Sequence, residues 1–531
     1  MNRPKRILLV SEASYQSTGY SILSQEFASR WHKAGYEIYE LGCNAQPNDP
    51  RQTSVPWNFA PNLPNPNNEE EKKAYFSSQE NCFGAWKFEE ACLWSRCDIA
   101  VAFRDSWMDA HMAYSPFRSR YHLALMPPVD CWYQDENWLD VFMRADSLLT
   151  YTKWSYDVLK EQGGVRLPLV GVATPGVDTE VFKPVPDRRA HKQACGLDPN
   201  INIVGMVARN QRRKLFPDLL EGMQEFYRTA PPELAAKTYI YLHTAWPDVG
   251  WDIPRLLKEF GVANKTLFTY ACRQCGYCFP SFFQDTKAFC KKCGNQTATF
   301  PVPQVAISRE TVASITNLFD TYVQYCNSEG LGLPLLEAAA CGVPIMATDY
   351  SAMADVVKNL GGTPIKVAYL YREPETHCRR AMPDLNDFVT KLTDLLLQPD
   401  AMRNRMGYLQ REAVKPYANW DTSSKVWMDI FEKAPLRDWS GPPQLHQPVT
   451  QIPQGLSDYQ FIQWGLANVA GRPELIGGFQ ALEMARDLSW GYTTNGMVSQ
   501  AFTREVLMKT FLGMAERRNA WEMRRAQICQ A

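Results

Sequence analysis

The stretch Asn327-Ser-Glu-Gly-Leu-Gly-Leu-Pro-Leu-Leu-Glu-Ala-Ala-Ala-Cys-Gly-Val-Pro344 decides the fold of this chain. It follows the apolar, strand-like run Thr321–Tyr325, places a Gly-x-Gly turn at residues 330–332 and continues as an apolar helix. Glycines let backbone amides approach a ligand closely, and a helix N-terminus offers unpaired N–H groups to a phosphate. The stretch therefore predicts a phosphate-binding strand–turn–helix joint flanked by two carboxylates, Glu329 and Glu337. The alternative is a purely structural joint with both glutamates solvated.

The rest of the chain alternates strand-like and helical patterns. Arg6–Val10 is a continuous apolar run typical of a strand buried on both faces, and the helical stretch Tyr20–Lys33 precedes a second strand from Tyr36. Further strand-like runs are Asp98–Phe103, His122–Met126, Ser147–Tyr151, Leu169–Ala173, Asn202–Val207, Thr238–Leu242, Thr266–Phe268, Thr321–Tyr325 and Val343–Ala347. This pattern predicts an α/β protein with two Rossmann-like, doubly wound parallel-sheet domains that face a cleft.

The composition suggests where the domains begin and end. The polar segment Lys183–Asn200 separates an N-terminal domain, residues 1–185, from a C-terminal domain, residues 186–435. A cysteine-rich insertion interrupts the second domain at residues 266–300, and a mainly helical extension occupies residues 436–531. The chain of 531 residues is long enough for this organisation at about 150 residues per domain.

Charge and cysteine content narrow the class of protein. Lys and Arg total 56 and Asp and Glu 57, whereas a chain that coats nucleic acid with its whole surface is strongly basic. Any polyanion must therefore bind a local patch. No apolar run approaches the about 18–20 residues of a membrane-spanning helix, and the first apolar run is too short for a signal peptide. Because the 15 cysteines accompany no export signal, we expect reduced thiols and a cytoplasmic protein, in the host cytoplasm if viral.

Three motifs together resemble the retaining GT-B glycosyltransferases, most closely glycosyltransferase family four. The first is the stretch quoted above, with its Glu-x7-Glu spacing. The second is the strand–Arg–x4–Lys–helix element Val207–Glu221, and the third, Gly176–Pro184, resembles the family's interdomain entry. The resemblance covers most of residues 1–430 but not the C-terminal extension. It implies a nucleotide-sugar-dependent enzyme that transfers a hexosyl or pentosyl group to an acceptor hydroxyl with retention of configuration.

The resemblance also implies roles for residues of the donor site. Arg209 and Lys214 are expected to bind the leaving diphosphate and act in catalysis, because cations stabilise the charge that accumulates there. Glu329 is expected to contact the transferred sugar or steady the oxocarbenium-like centre, and Glu337 to accept hydrogen bonds from the ribose. The full donor-binding set is Arg209, Lys214, Glu329, Gly330, Leu331, Gly332, Leu333 and Glu337. The alternative for the two cations is a solvated loop that also contains Arg212 and Arg213.

The acceptor side carries fewer signals. By the same resemblance, Gly19 lies in a loop that faces the cleft, and Asp130 is a catalytic candidate that contacts the acceptor or its proton. Asp105 is a further acceptor-side candidate, and for all three the alternative is a surface or capping role. No Asp-x-Asp occurs in the chain, so we expect no catalytic divalent metal.

The insertion contains the pattern of a metal site. Cys272, Cys275, Cys290 and Cys293 form two Cys-x-x-Cys-Gly turns separated by a short segment, which is the four-thiolate pattern of a structural zinc ribbon. Cys278 is then unused, although Cys275 with Cys278 is an alternative pair. Four protein ligands predict a structural Zn²⁺ and not a catalytic one.

The sequence is compatible with more than one class of acceptor. Between residues 264 and 300 the chain carries five Lys or Arg against one acid, interleaved with eight aromatic residues, a composition suited to single-stranded nucleic acid. Together with the basic C-terminal residues, this favours a hydroxylated base of phage-type DNA. Alternatively, the rings form the ribbon's own core, and the acceptor is a glycan, a lipid-linked sugar or a small molecule. A third hypothesis is a non-catalytic, zinc-dependent nucleic-acid-binding module on a GT-B scaffold.

Overall fold

A computed structural model describes residues 3–302, 307–374, 376–475, 481, 484, 485, 488 and 503–530. It contains two large sheets flanked by helices, which confirms the predicted fold class. The first sheet is parallel throughout, in the order β3-β2-β1-β4-β5-β6-β7. Its strands are β1 Arg6–Glu12, β2 Glu37–Cys43, β3 Asn58–Pro61, β4 Ile99–Ala102, β5 His122–Leu125, β6 Ser147–Thr150 and β7 Leu169–Val172.

The second sheet has the order β11-β10-β9-β8-β13-β14-β15 and is parallel except at the cysteine-rich end, where β11 and β12 pair antiparallel with β10. A separate antiparallel hairpin, β16–β17, follows it. The strands are β8 Asn202–Val207, β9 Thr238–His243, β10 Thr266–Cys272, β11 Cys278–Phe282, β12 Ala298–Thr299, β13 Thr321–Gln324, β14 Ile345–Thr348, β15 Thr363–Ile365, β16 Val367–Arg372 and β17 Arg379–Pro383. The cysteine-rich insertion therefore extends the edge of the second sheet.

The helices lie between the strands and in the C-terminal region. Their bounds are Gly19–Lys33, Glu69–Phe76, Phe88–Ser95, Ser106–Ala113, Glu136–Met143, Lys153–Gly163, Arg188–Ala194, Phe216–Thr229, Pro232–Lys237, Ile253–Glu259, Arg309–Thr316, Leu333–Ala340, Ser351–Leu360, Leu385–Leu397, Asp400–Tyr417, Trp420–Lys433, Asp458–Trp464 and Arg504–Gln530. Within the described part of the chain, no helix is both long and apolar enough to cross a membrane.

The two sheet domains are joined by a helix that returns to the first one. Trp427 of helix Trp420–Lys433 packs against Phe27 and Trp31, with ring centroids 6.1 and 5.6 Å apart. All three side chains are fully buried, so this aromatic cluster holds the end of the second domain on the first. Helix Trp420–Lys433 thereby connects the two domains on one side of the cleft between the sheets.

The C-terminal region docks on the first domain. Glu522 of helix Arg504–Gln530 pairs with Arg120 at 3.0 Å, and the fully buried Arg525 donates hydrogen bonds to the carbonyls of Trp439 and Pro442 at 2.8 and 2.9 Å. Arg517 and the half-exposed Arg524 pair with glutamates of helix Phe88–Ser95. These arginines therefore serve to attach the C-terminal helix.

Candidate functional site

The centre of the candidate site is a buried ion cluster on the second domain. Glu329 lies five residues beyond the end of β13, and its carboxylate accepts hydrogen bonds from Lys214, from Arg213 at 2.6 Å and from Gln324 at 2.7 Å. The backbone ties the two loops together, because Asn327 N–H donates to the carbonyl of Arg213 at 3.0 Å. The structure thus brings two predicted site residues, Lys214 and Glu329, into direct contact.

The electrostatics of this cluster favour an ionised carboxylate. Burial by itself would raise the pKa of Glu329, but the charges of Arg213 and Lys214 outweigh it and lower the pKa to about 2. Glu329 therefore carries a full negative charge at neutral pH, in contact with two cations.

Arg209 is not in contact with Glu329. Its guanidinium, half-exposed at 50 %, forms a bidentate ion pair with Asp248 through Nε at 3.0 Å and Nη2 at 3.1 Å. The loop bearing Asp248 is fastened to this segment, because Asn210 exchanges two hydrogen bonds of 2.8 Å with the backbone of Trp251. Asp248 therefore orients Arg209 at the rim of the cleft, which sequence analysis did not anticipate.

The glycine turn approaches the first domain closely. A Cβ atom on Gly330 would lie 2.4 Å from the Cβ of Pro128, so only glycine fits where the turn crosses to the opposite wall. Gly332 has a φ of +82° and begins helix Leu333–Ala340, whereas Leu331 is buried beneath the turn. The predicted donor-binding residues Gly330–Leu333 thus form a compact turn that contacts the first domain at Pro128.

Glu337 lies one turn into the helix that follows, and its carboxylate is only partly exposed. Burial raises its pKa to about 7, opposed by the charge of Arg309. Among the described residues, no group donates a hydrogen bond to this carboxylate. Its carboxylate oxygens are therefore open to hydrogen bonds from the hydroxyl groups of a ligand.

All three acceptor-side candidates lie on the first domain. Asp105 and Asp130 are close to each other, and Gly19 lies at the start of a helix. Asp105 accepts a hydrogen bond from Tyr20 at 2.9 Å, and burial, followed by the charge of Asp130, raises its pKa to about 6. Asp130 accepts a hydrogen bond from Ser328 at 3.1 Å, which links it to the loop of Glu329. Gly19 is exposed at the start of helix Gly19–Lys33 and directly precedes Tyr20, the hydrogen-bond donor to Asp105.

Two arginines of the site were missed by sequence analysis. Arg213 was interpreted only as part of a basic loop, and its position beside Lys214 was the available signal. Arg380, on β17, donates to Ser328 at 2.8 Å and pairs with Asp130 at 2.7 Å across the cleft. No sequence pattern marks it, because its partners lie about 50 and 250 residues away.

The four predicted metal-ligating cysteines converge. All four sulfur atoms lie within 4.8 Å of one another, with Cys272–Cys293 at 3.7 Å and Cys275–Cys290 at 3.6 Å. A tetrahedral Zn–S bond of about 2.3 Å gives sulfur separations of about 3.8 Å, so this donor set fits zinc. Cys278 lies outside the group and donates instead to the carbonyl of Gly276 at 3.7 Å.

Four of the eight aromatic residues between residues 264 and 300 are fully buried. Phe268, Tyr270, Phe279 and Phe300 are buried and contact one another, whereas Phe289 is 61 % exposed. These four buried rings therefore form a core of the ribbon, as the alternative in the sequence analysis had it, whereas Phe282, 44 % exposed, and Phe289 do not belong to it. The basic C-terminal residues are likewise engaged in docking, so both features that favoured a nucleic-acid surface have a structural role.

The architecture of two Rossmann-like domains around a cleft is that of the GT-B glycosyltransferases. It is similar to sucrose-phosphate synthase of Thermosynechococcus elongatus, with a TM-score of 0.59, 15 % identity and coverage of 81 % of this chain and 99 % of that one. It is also similar to HepE of Anabaena in complex with UDP and glucose, with a TM-score of 0.54, 13 % identity and coverage of 81 % and 100 %. At these identities the likeness establishes the fold alone.

Sequence comparison adds a family match. Residues 282–373, which include Glu329, the glycine turn and Glu337, match the family model described as glycosyl transferases group 1. D-inositol 3-phosphate glycosyltransferase of Stackebrandtia nassauensis is 26 % identical over 41 % of this chain and 42 % of its own length. The enzyme of the same name from Streptomyces bingchenggensis is 23 % identical over 55 % and 53 %. The chain thus spans about half the length of these curated relatives.

Proposed function

We propose that this protein is a glycosyltransferase that moves a sugar from a nucleotide-sugar donor to an acceptor hydroxyl. The observation that carries the proposal is Glu337, a partly buried carboxylate in the helix after the glycine turn, which accepts no hydrogen bond from the part of the chain that the structure describes. The two hydroxyls of a ribose are the donors that would satisfy it. The group 1 family match over this segment and the UDP and glucose bound to the neighbour HepE support the same assignment.

The chemistry of transfer follows from the surrounding charges. Lys214 and the N–H groups of the turn would bind the diphosphate, and Arg209 would turn from Asp248 towards the same group. Glu329, ionised and held by two cations, would contact the transferred sugar or the cationic centre that forms on it. Retention of configuration is part of the proposal and rests on the resemblance to family four.

The test is nucleotide release from a panel of UDP-, GDP-, ADP- and CDP-sugars. We expect release from one donor, and Arg209→Ala, whose half-exposed side chain the fold can spare, to lower the rate at least about tenfold. Glu329→Gln should lower it on the order of 100-fold. Glu412→Gln, which removes an exposed pair with Lys415, is the matched control. Silence of the wild type across the panel would refute the proposal and favour the non-catalytic binding module.

Two classes of acceptor come into consideration, one from the comparisons and one from the sequence. The relatives are named for D-inositol 3-phosphate, which would make the acceptor a phosphorylated polyol. The sequence favoured a hydroxylated DNA base, but four of the eight rings behind that hypothesis are fully buried and the C-terminal arginines are paired. We therefore propose a small hydroxylated acceptor and retain hydroxymethylated DNA as a test arm.

We also propose that Cys272, Cys275, Cys290 and Cys293 bind a structural Zn²⁺. Elemental analysis should find about one zinc per chain, and Cys290→Ser/Cys293→Ser should lose it. Cys278→Ser is the matched control and should retain the metal, because its thiol lies outside the group. Zinc retained by the double variant would contradict the ligand assignment.

A further inference from the structure

A small cavity lies on the first-domain side of the cleft, between the start of helix Ser106–Ala113, the segment after β5 and hairpin β16–β17. We propose that this cavity receives an uncharged, polyhydroxylated group of the acceptor and rejects phosphate esters. The inference rests on the proposed glycosyltransferase function and names the substrate class of that site. The cavity measures about 130 Å³, well below the size that encloses a whole drug-sized ligand, so it holds the reacting end of an acceptor.

One part of the cavity wall is aromatic. Trp107 is 46 % exposed, although its ring packs edge-on against Phe83 at 5.0 Å. Trp138 lines the same cavity from the neighbouring helix Glu136–Met143. Flat aromatic faces with polar groups beside them suit a ring that carries C–H bonds on one face and hydroxyls at its edge.

The polar part of the wall accepts hydrogen bonds. Asp105 and Asp130 both line the cavity, and hydroxyl groups are the donors that carboxylates bind most readily without charge conflict. Burial raises the pKa of Asp105 most, and the negative charge of the nearby Asp130 raises it further. A dianionic phosphate at this wall would meet two like charges.

The cation that lines the cavity, Arg380, is already paired with carboxylates. Arg380 donates to Asp130 at 2.7 Å, to Ser328 at 2.8 Å and to Glu373 at 3.1 Å, and its side chain is 9 % exposed. Arg213, the nearby cation of the donor site, is engaged by Glu329. Among the described lining residues, Arg380 is the lone cation, and two carboxylates neutralise it. The charged side chains of the described cavity wall therefore sum to a net negative charge, and the one cation among them is already paired.

The test compares matched acceptors by the nucleotide release that each stimulates from the donor identified above. The pairs are myo-inositol with its 3-phosphate and methyl glucoside with glucose 6-phosphate, and hydroxymethylated DNA is a separate arm. In each pair we expect the neutral acceptor to have a kcat/KM at least about tenfold higher than that of its phosphate ester. Preference for the phosphate ester, stimulation by DNA alone, or stimulation by none of these acceptors would overturn the inference. Release without any acceptor keeps the proposed function intact in each of these cases.

A variant tests the electrostatic cause. Glu373→Gln removes one of the two carboxylates that neutralise Arg380 and leaves the aromatic wall unchanged. We expect the kcat/KM for the phosphate ester, relative to its neutral partner, to rise about tenfold, and Glu412→Gln to leave that ratio unaltered. An unchanged ratio in Glu373→Gln, with the melting temperature of the wild type, would overturn the charge-based explanation of selectivity.

Discussion

The ionisation of Glu337 should control nucleotide binding near neutral pH. Burial raises the pKa of this carboxyl to about 7, so its ionised fraction falls from about 0.9 at pH 8 to about 0.09 at pH 6. Ribose hydroxyls donate hydrogen bonds to the ionised form most strongly. The dissociation constant for the nucleoside diphosphate should therefore rise up to about tenfold between pH 8 and pH 6, which is about 1.4 kcal/mol.

The assay is isothermal titration calorimetry with the nucleoside diphosphate of the preferred donor, on wild type and on Glu337→Gln. The phosphate of the ligand also titrates in this range, but it contributes equally to both proteins. The ratio of the two dissociation constants therefore isolates Glu337. We expect wild type to bind more tightly than the variant at pH 8 and almost equally at pH 6. A ratio that stays constant from pH 6 to pH 8 would refute the reasoning.

Two further predictions concern stability. Lys214→Met leaves the buried carboxylate of Glu329 with one cation in place of two, so we expect a loss of about 3 kcal/mol, seen as a lower melting temperature in calorimetry. Lys415→Met, at an exposed pair, should have almost no effect. Arg525→Met removes a fully buried guanidinium and should speed amide hydrogen exchange throughout the C-terminal helix. Arg524→Met, half-exposed, should not, and equal exchange in both variants would contradict the docking role.

Much of the fold was predictable because buried parallel strands leave a strong local pattern. The runs around β1, β4, β5, β6 and β8 are apolar on both faces, and each forms a central strand of its sheet. Edge elements leave no such pattern. Strand β3 lies in a proline-rich segment and is half-exposed. In hairpin β16–β17, apolar and polar residues do not alternate regularly. The sequence therefore indicated neither element.

The candidate site was predictable where its residues are neighbours along the chain. The glycine turn with Glu329 and Glu337, and the two Cys-x-x-Cys turns, each fit within a short stretch, because a turn and a helix start place them together. The sequence placed Lys214 and Glu329 in the same candidate donor site but did not predict that their side chains are in contact. That Arg209 pairs with Asp248 instead could not be predicted, since many acids compete for an exposed arginine.

The two-domain α/β architecture, the glycine turn and the four-thiolate group could be inferred from the amino-acid sequence, since each depends on local spacing and on the period of apolar residues. Only the tertiary structure decided which charges meet. Arg380 reaches Asp130 from 250 positions away, and the rings of the insertion turn inward as its core. The physical reason is that ion pairing and burial depend on the direction of side chains from segments that meet only after the sheets have packed.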